Sequence, residues 1–176
     1  MIVIMWGLQS PINVGMILRS AETFDCTCRF YDRSGVFNSA KNIETISDFS
    51  CGAYQRKGLE VLKTPEEALA GLSGRLVATT TDRAAVPVEE MEWQPDDALL
   101  VGNEYDGLPA DLLARADARI RIPLPDNYLP KPPSASPIAP ARGRGVLAGA
   151  PSLNVAVATS IFCYLAYLRS SGNRAR

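Results

Sequence analysis

The order of apolar and polar positions along the chain predicts strands that alternate with helices. Residues 2–8 (IVIMWGL) are apolar on both faces, which is typical of a buried parallel strand. In residues 10–24, Ile17, Ala21 and Phe24 recur at helical spacing. The same pattern predicts further strands at 26–32, 75–81, 96–104 and 118–124, and helices at 64–72 and 108–116. Such alternation indicates an α/β fold with a mainly parallel sheet flanked by helices.

Two helix starts carry signals of their own. Thr64, Pro65 and Glu67 have the order of a capping box with proline at the first helical position. The last helix is predicted to begin near Ser152, which is a natural N-cap. From Val155 onward this helix is apolar or small on every side, and we therefore expect it to be buried.

Residues 125–150 interrupt this pattern. The segment is rich in proline, and glycines cluster at its end. A structureless stretch of this length in a compact domain is usually either functional or disordered. We therefore expect a single domain over residues 1–176, with a Pro/Arg-rich insertion at about 125–150.

The amino-acid composition limits which ligands and which kinds of catalysis the chain can support. A net charge of -1 gives no overall basic field, so a nucleic-acid site would have to be a local patch. The chain contains no histidine, which excludes Ser-His-Asp and Cys-His catalysis. Its four cysteines form no CxxC pair, and we expect free thiols and no metal site. Neither a P-loop nor a Rossmann glycine pattern is present, which disfavours other nucleotide enzymes of the α/β class.

The sequence favours a cytoplasmic protein. The first residues lack the basic region and cleavage site of a signal peptide. Free thiols fit a reducing compartment. The apolar run at 155–168 is shorter than the roughly 20 residues that a membrane span needs.

Two segments combine polar residues with positions where a site can form. Asn13 and Arg19 belong to the helix after the first strand, and a helix cap and a solvated surface charge are their alternative interpretations. In residues 99–109 an apolar strand runs into Gly-Asn-Glu, so that Glu104 follows a parallel strand at its carboxyl end. Open α/β sheets bind ligands at that edge, although a turn before a helix explains the same residues.

A third segment lies at the head of the last helix. Asparagine is a poor helix former inside a first turn, so Asn154 needs an explanation beside the cap that Ser152 could provide. Polar side chains and exposed N–H groups at a helix terminus suit a ligand's purine edge, carboxylate or ribose.

The segments NVGMILRSAETF, LLVGNEYDGLP and IRIPL…SLNVAVATSIFCYLA, in this order, resemble motifs 1, 2 and 3 of the SpoU (TrmH-like) branch of the SPOUT RNA methyltransferases. The resemblance implies a SPOUT-type fold with a C-terminal trefoil knot, a topology that few chains adopt. It also implies an enzyme that uses S-adenosylmethionine to methylate a ribose 2′-hydroxyl in tRNA or rRNA. In this family the cofactor sits in the knot, and a homodimer completes the active site.

The resemblance assigns site residues by their positions in the motifs. The expected catalytic residues are Asn13, Arg19, Glu104, Ser152 and Asn154. The expected cofactor-binding residues are Thr79, Thr80, Gly102, Asn103, Ile122, Ser152 and Leu153.

The chain departs from compact family members between the motif 3 strand and helix. Residues 124–151 intervene where those members have only a few residues, and they include Lys131, Arg142 and Arg144. We expect this stretch to order over RNA or cofactor; a disordered loop is the alternative. No appended RNA-binding domain is recognised, which favours tRNA over rRNA. A non-catalytic RNA-binding module that keeps the fold is the alternative function.

Overall fold

A computed structural model of the chain describes residues 1–125 and 152–172. The greater part of the expected insertion, with Lys131, Arg142 and Arg144, lies outside the described residues.

Seven strands form one sheet in which every described pairing is parallel. The strands are β1 (Ile2–Trp6), β2 (Thr27–Tyr31), β3 (Glu60–Leu62), β4 (Leu76–Thr79), β5 (Val86–Pro87), β6 (Ala98–Val101) and β7 (Ala118–Arg121). Their order across the sheet is β3-β2-β1-β6-β4-β7-β5. The prediction of a mainly parallel sheet is confirmed, while β3 and β5 were not predicted.

Six helices accompany the sheet in the described part of the chain. They are α1 (Pro11–Thr23), α2 (Ala40–Ser50), α3 (Ala53–Lys57), α4 (Pro65–Leu69), α5 (Ala110–Arg115) and α6 (Val155–Gly172). Two 3-10 turns, Val36–Asn38 and Val88–Glu90, complete the described elements. The chain is thus α/β as predicted, with helices on both faces of the sheet.

Alternating residues of the strands pack into two hydrophobic layers, one on each face of the sheet. On one face, Val3 and Met5 of β1 pack with residues of α1, α2, α3 and α6. On the other face, Ile4 and Trp6 pack with residues of α4 and α5. Successive side chains of a strand point to opposite faces, so the doubly apolar run of β1 is explained by burial on both sides.

The predicted capping box at the start of α4 is confirmed. Thr64 accepts a hydrogen bond from the amide of Glu67, and the Glu67 carboxylate accepts from the amides of Thr64 and Lys63. These amide donors lower the pKa of Glu67 below its ordinary value of 4.5.

The expectation that α6 is buried on every side is wrong for the chain by itself. Ala156, Phe162 and Cys163 are buried, whereas Val157 and Tyr164 are 44% and 46% exposed. One face of the helix packs on the sheet and α1, while its outward face is left largely exposed by the described residues, apart from the contact of Phe24 with the Tyr164 ring.

The cysteines are free thiols, as expected. Burial raises the pKa of the Cys28 thiol to about 12, which keeps it protonated at neutral pH. None of the described helices is both long and apolar enough to cross a membrane.

Candidate active site

Glu104 joins two strand ends at the carboxyl edge of the sheet. It follows β6, and its carboxylate accepts hydrogen bonds from the main-chain amides of Gln9 and Ser10, each at 3.1 Å. These amides belong to the loop that follows β1, which is the neighbour of β6 in the sheet. The side chain of Asn13 also donates to this carboxylate, through Nδ2 at 2.8 Å. A carboxylate held by three donors has a fixed orientation.

Asn13 connects Glu104 to the last helix. Its Nδ2 donates to Glu104, and its Oδ1 accepts from Nδ2 of Asn154 at 3.1 Å. Asn13 is 6% exposed, so both ends of its amide are satisfied in a buried position. We call Glu104, Asn13 and Asn154 the linked cluster. It brings together one residue from each of the three segments that the sequence singled out.

Asn154, and not Ser152, caps the last helix. The first helical residue is Val155, and the Asn154 Oδ1 accepts from the amides of Ala156 at 2.9 Å and Val157 at 3.4 Å. The prediction of Ser152 as N-cap is therefore wrong by two residues. Asn154 stands just outside the helix, where an asparagine is strongly preferred, and this removes the expected propensity penalty.

The cap interpretation of Asn13 is also wrong. Ser10 caps α1 by accepting from the amide of Asn13 at 3.3 Å, and Pro11 occupies the first helical position. Asn13 lies in the first turn with its side chain turned towards Glu104 and Asn154. The Ser-Pro pair in the sequence is a usable signal for this start.

Arg19 stays outside the linked cluster. It is an exposed residue of α1, and its guanidinium makes no hydrogen bond or ion pair with any residue of 1–125 or 152–169. Ser152 and Leu153 are also exposed, beside the cap of α6. The structure thus joins three of the five expected catalytic residues and leaves Arg19 and Ser152 at the surface.

Four of the expected cofactor residues lie at the ends of three adjacent strands, β6, β4 and β7. We call these residues the cofactor edge: Thr79, Thr80, Gly102 and Ile122. The Thr79 hydroxyl donates to the carbonyl of Leu100 at 3.0 Å, and the Thr80 hydroxyl accepts from the amide of Asp82 at 3.1 Å. The Thr79 hydroxyl thus ties the end of β4 to β6, and the Thr80 hydroxyl holds the turn that follows β4.

The loop after β6 is tightly closed. A side chain at Gly102 would meet the backbone of Gly107 and would lie 2.6 Å from the amide nitrogen of Leu108. Asn103 accepts from the amides of Tyr105 and Asp106 at 2.8 and 2.7 Å, which ties its oxygen into the turn. Gly107 has a φ of 67°, which favours glycine. Both sequence interpretations hold here, because the segment is a turn and also carries Glu104 into the site.

No group of three or more Cys, Asp or Glu residues in the described ranges could hold a metal ion. The residues that sequence reasoning missed are Gln9 and Ser10, whose amides hold Glu104. Main-chain donors leave no signal in residue type, although the capping serine does.

The chain is similar to known proteins in sequence. Residues 1–129 match the model of the SpoU rRNA Methylase family. A tRNA (cytidine(34)-2'-O)-methyltransferase of Beijerinckia indica is 40% identical over 52 residues, 30% of this chain and 32% of that protein. An uncharacterized tRNA/rRNA methyltransferase of Mycoplasma pneumoniae is 31% identical over 131 residues, 70% of this chain and 51% of that protein. The matched stretches thus span about a third of the first of these curated relatives and about half of the second.

Solved structures share the fold. A structure that concerns the 2-OH methylation of C/U34 on tRNA superposes with a TM-score of 0.74 at 23% identity, covering 97% of this chain and 96% of that one. The Streptomyces viridochromogenes SpoU methyltransferase AviRb, solved with AdoMet, gives 0.71 at 22% identity, covering 97% and 58%. The A. aeolicus TrmH/SpoU tRNA modifying enzyme gives 0.73 at 23%, covering 98% and 76%.

The family match covers most of the chain and includes both strand ends that meet at Glu104. The shared fold and the linked cluster agree with it. This chain belongs to the SpoU rRNA Methylase family.

Proposed function

We propose that this chain is an S-adenosylmethionine-dependent enzyme that methylates a ribose 2′-hydroxyl in structured RNA, with tRNA favoured over rRNA. The observation that carries the proposal is the linked cluster, because it joins three distant segments at the edge where such sheets bind ligands. The names of the relatives supply the substrate class: one is a tRNA methyltransferase, and one solved structure concerns 2-OH methylation on tRNA.

The cofactor edge suits an adenosine group. The residues expected there offer glycine, main-chain groups and apolar side chains: Gly102 is buried, Ile122 is half-buried, and Leu153 is exposed beside the cap of α6. Apolar walls with a few main-chain hydrogen-bonding groups are what a purine needs. When bound, S-adenosylmethionine would supply a methyl group activated by a sulfonium. The chain would hold it through Gly102, Ile122 and Leu153.

Arg19 would act on the RNA. A guanidinium group does not give up its proton readily in proteins, which makes it a poor general base. It is well suited to holding a phosphate and to stabilising an alkoxide as it forms. We assign both roles to Arg19, whose guanidinium has no partner in the described part of the chain. The hydroxyl proton would leave late, to Glu104 or to water.

Two measurements test the function. Calorimetry with S-adenosylhomocysteine should show binding to a single site, and labelled S-adenosylmethionine should transfer its methyl group to total tRNA as a 2′-O-methylnucleoside detectable by mass spectrometry. Binding of RNA without any transfer would favour the non-catalytic RNA-binding module. Failure to bind the cofactor would contradict the proposal.

Variants of Arg19 test its role. Arg19→Ala should slow methyl transfer about 100-fold, with unchanged affinity for S-adenosylhomocysteine. Arg19→Lys keeps the charge but loses the planar fork, so it should recover little of the rate. Arg115→Lys is the matched control, since Arg115 is exposed on α5. Near wild-type transfer by Arg19→Lys across the pH range would contradict a role for the fork.

A homodimer is part of the proposal. Helices α1 and α6 pack together through Ser20 and Ser160, whose hydroxyls lie 2.7 Å apart. Their outer surface exposes Met16 and Val157, at 38% and 44%. Arg19 follows Met16 by one helical turn, so a second copy on this surface would lie beside Arg19.

Sedimentation tests the dimer. We expect a dimer for the unmodified protein and a monomer for Val157→Glu, because an unpaired charge in an apolar interface is costly. Val86→Glu is the control, since Val86 is 40% exposed at the far edge of the sheet. A monomeric parent, or a dimer that survives Val157→Glu, would contradict this interface.

The remaining expectations stay proposals of the same kind. The trefoil knot, the single domain over residues 1–176 and the cytoplasmic location fit an RNA-modifying enzyme of this family. Limited proteolysis followed by mass spectrometry would test the single domain.

A further inference from the structure

A small cavity lies on the other side of the β6 loop from the cofactor edge. It has a volume of about 270 Å³ and is lined by Trp6, Gly7, Arg33, Asn103, Asp106, Gly107 and Pro109. These residues end or follow β1, β2 and β6, whereas the residues of the cofactor edge end or follow β4, β6 and β7. The cavity is slightly below the roughly 300–1,000 Å³ of typical ligand pockets. It suits one flat ring better than a whole cofactor.

The walls of the cavity have the chemistry of a base-binding site. Trp6 is only 7% exposed and packs against Tyr31 with ring centroids 4.8 Å apart, so the part of its indole that lines the cavity has a fixed orientation. The side chain of Arg33 passes over Gly7, where a Cβ would lie 3.6 Å from that of Arg33. An aromatic face and a guanidinium plane are the surfaces on which proteins stack unpaired bases.

The loop that carries Arg33 is held rigidly. The buried carboxylate of Asp32 accepts from the amides of Val36 at 2.7 Å and Phe37 at 3.2 Å. Lys63 donates to the same carboxylate at 3.1 Å. The turn is therefore built in advance, and the guanidinium of Arg33 makes no hydrogen bond or ion pair within residues 1–125 and 152–169. A rigid loop that presents a free cation lowers the entropic cost of binding.

The opposite wall offers one acceptor and one donor. The Asp106 carboxylate has no hydrogen-bond partner among the described side chains and amides, and the same is true of the Asn103 amino group. A carboxylate accepts from an exocyclic amino group, and an amide donates to a ring nitrogen or carbonyl. With Asp106 at the exocyclic group and Asn103 at the ring nitrogen, this pair matches cytosine or adenine, whereas uracil presents a carbonyl acceptor and a ring N–H in the reverse order.

We propose that this cavity binds a single amino-bearing nucleobase of the substrate RNA, stacked between Trp6 and Arg33 and read by Asp106. The inference rests on the proposed RNA methyltransferase function and adds a specificity site to it. Asp106 lies two residues from Glu104, within about 7 Å along the chain. The base would therefore belong to the nucleotide being methylated or to its immediate neighbour.

The binding experiment uses tryptophan fluorescence. The chain has two tryptophans, Trp6 in the cavity and Trp93 in the core on the opposite face of the sheet. In Trp93→Phe protein we expect CMP and AMP to quench Trp6 saturably and UMP to bind about fivefold more weakly. Arg33→Ala should weaken CMP binding about tenfold. Asp106→Asn should remove the preference for CMP over UMP, and Arg115→Ala should change nothing.

Three outcomes would overturn the inference. They are no quenching by any nucleotide while S-adenosylhomocysteine still binds, quenching that S-adenosylhomocysteine displaces, and an Arg33→Ala enzyme that methylates total tRNA with an unchanged KM. The failure of the proposed function looks different: nucleotides would quench Trp6, but no methyl group would reach RNA.

Discussion

The linked cluster and the cofactor edge both lie at the carboxyl edge of one sheet but are built in different ways. In the cluster, side chains hydrogen bond to one another: Asn13 donates to Glu104 and accepts from Asn154. At the cofactor edge, the hydroxyls of Thr79 and Thr80 are already hydrogen bonded within the fold, to the Leu100 carbonyl and the Asp82 amide. The first region is therefore built from side-chain hydrogen bonds, and the second from the close approach of its backbone segments.

This difference decides which substitutions matter in each region. Replacing a side-chain functional group should have a large effect in the cluster and a small effect at the cofactor edge. Adding a Cβ where two backbone segments approach closely should have a large effect at the cofactor edge. The variants below test this contrast.

The largest effect is expected for Gly102→Ala. The added Cβ meets the backbone of Gly107 and Leu108, which cannot move aside as a flexible side chain can. We expect the free energy of unfolding to fall by about 3 kcal/mol and the binding of S-adenosylhomocysteine to be lost. Thermal denaturation and calorimetry measure both.

The control for this variant is Gly71→Ala. Gly71 has a positive φ of 65°, which Gly102 does not have, and nothing lies within 4 Å of the added Cβ. It should cost about 1 kcal/mol and leave cofactor binding unchanged. Equal losses for Gly102→Ala and Gly71→Ala would show that the close approach after β6 is unimportant.

A smaller effect is expected for Asn13→Ala. The substitution leaves Glu104 with one donor fewer and Asn154 without its acceptor, which should cost about 2 kcal/mol in urea unfolding. Asn154→Ala should cost about 1 kcal/mol as a lost helix cap. The double variant should be less destabilised than the sum of the two, because they share a bond.

Thr64→Ala supplies the matched comparison. It removes a cap of similar worth at α4, where Asn13 has no contact. Its cost should add to that of Asn13→Ala within about 0.5 kcal/mol. If the stability costs also added for Asn13→Ala and Asn154→Ala, as they should for Asn13→Ala and Thr64→Ala, then Asn13 and Asn154 would not be coupled.

The smallest effect is expected for Thr79→Val. This change removes the hydrogen bond to the Leu100 carbonyl and should cost about 1 kcal/mol of stability. Calorimetry should find the affinity for S-adenosylhomocysteine unchanged. A tenfold loss of affinity, about 1.4 kcal/mol, would instead place the hydroxyl against the cofactor.

The elements that could be predicted are those with strong local signals. The apolar runs of β1 and β6 and the capping box of α4 have such signals, and the structure contains all three. β3 and β5 span only three and two residues, too few for a period to show. Helix α2 buries only Ile46 and Ser50, so the sequence contains too weak an apolar pattern for this helix to be predicted from it.

The candidate site likewise has features that the sequence could predict and features that it could not. The three motifs identify Asn13, Glu104 and Asn154, but the bond between Asn13 and Asn154 joins positions 141 residues apart, which no spacing can predict. The cavity beside Trp6 was missed because its residues come from three strand ends and form no motif.

The most direct test of the account is a double-mutant cycle on the rate of methyl transfer in a single turnover with saturating cofactor and RNA. We expect Glu104→Gln and Asn13→Ala each to slow transfer about 100-fold. Since the two side chains act as one unit, the double variant should be no slower than the slower single variant. Effects that multiply to about 10,000-fold would show that Asn13 and Glu104 act separately, and would contradict the linked cluster as the centre of the site.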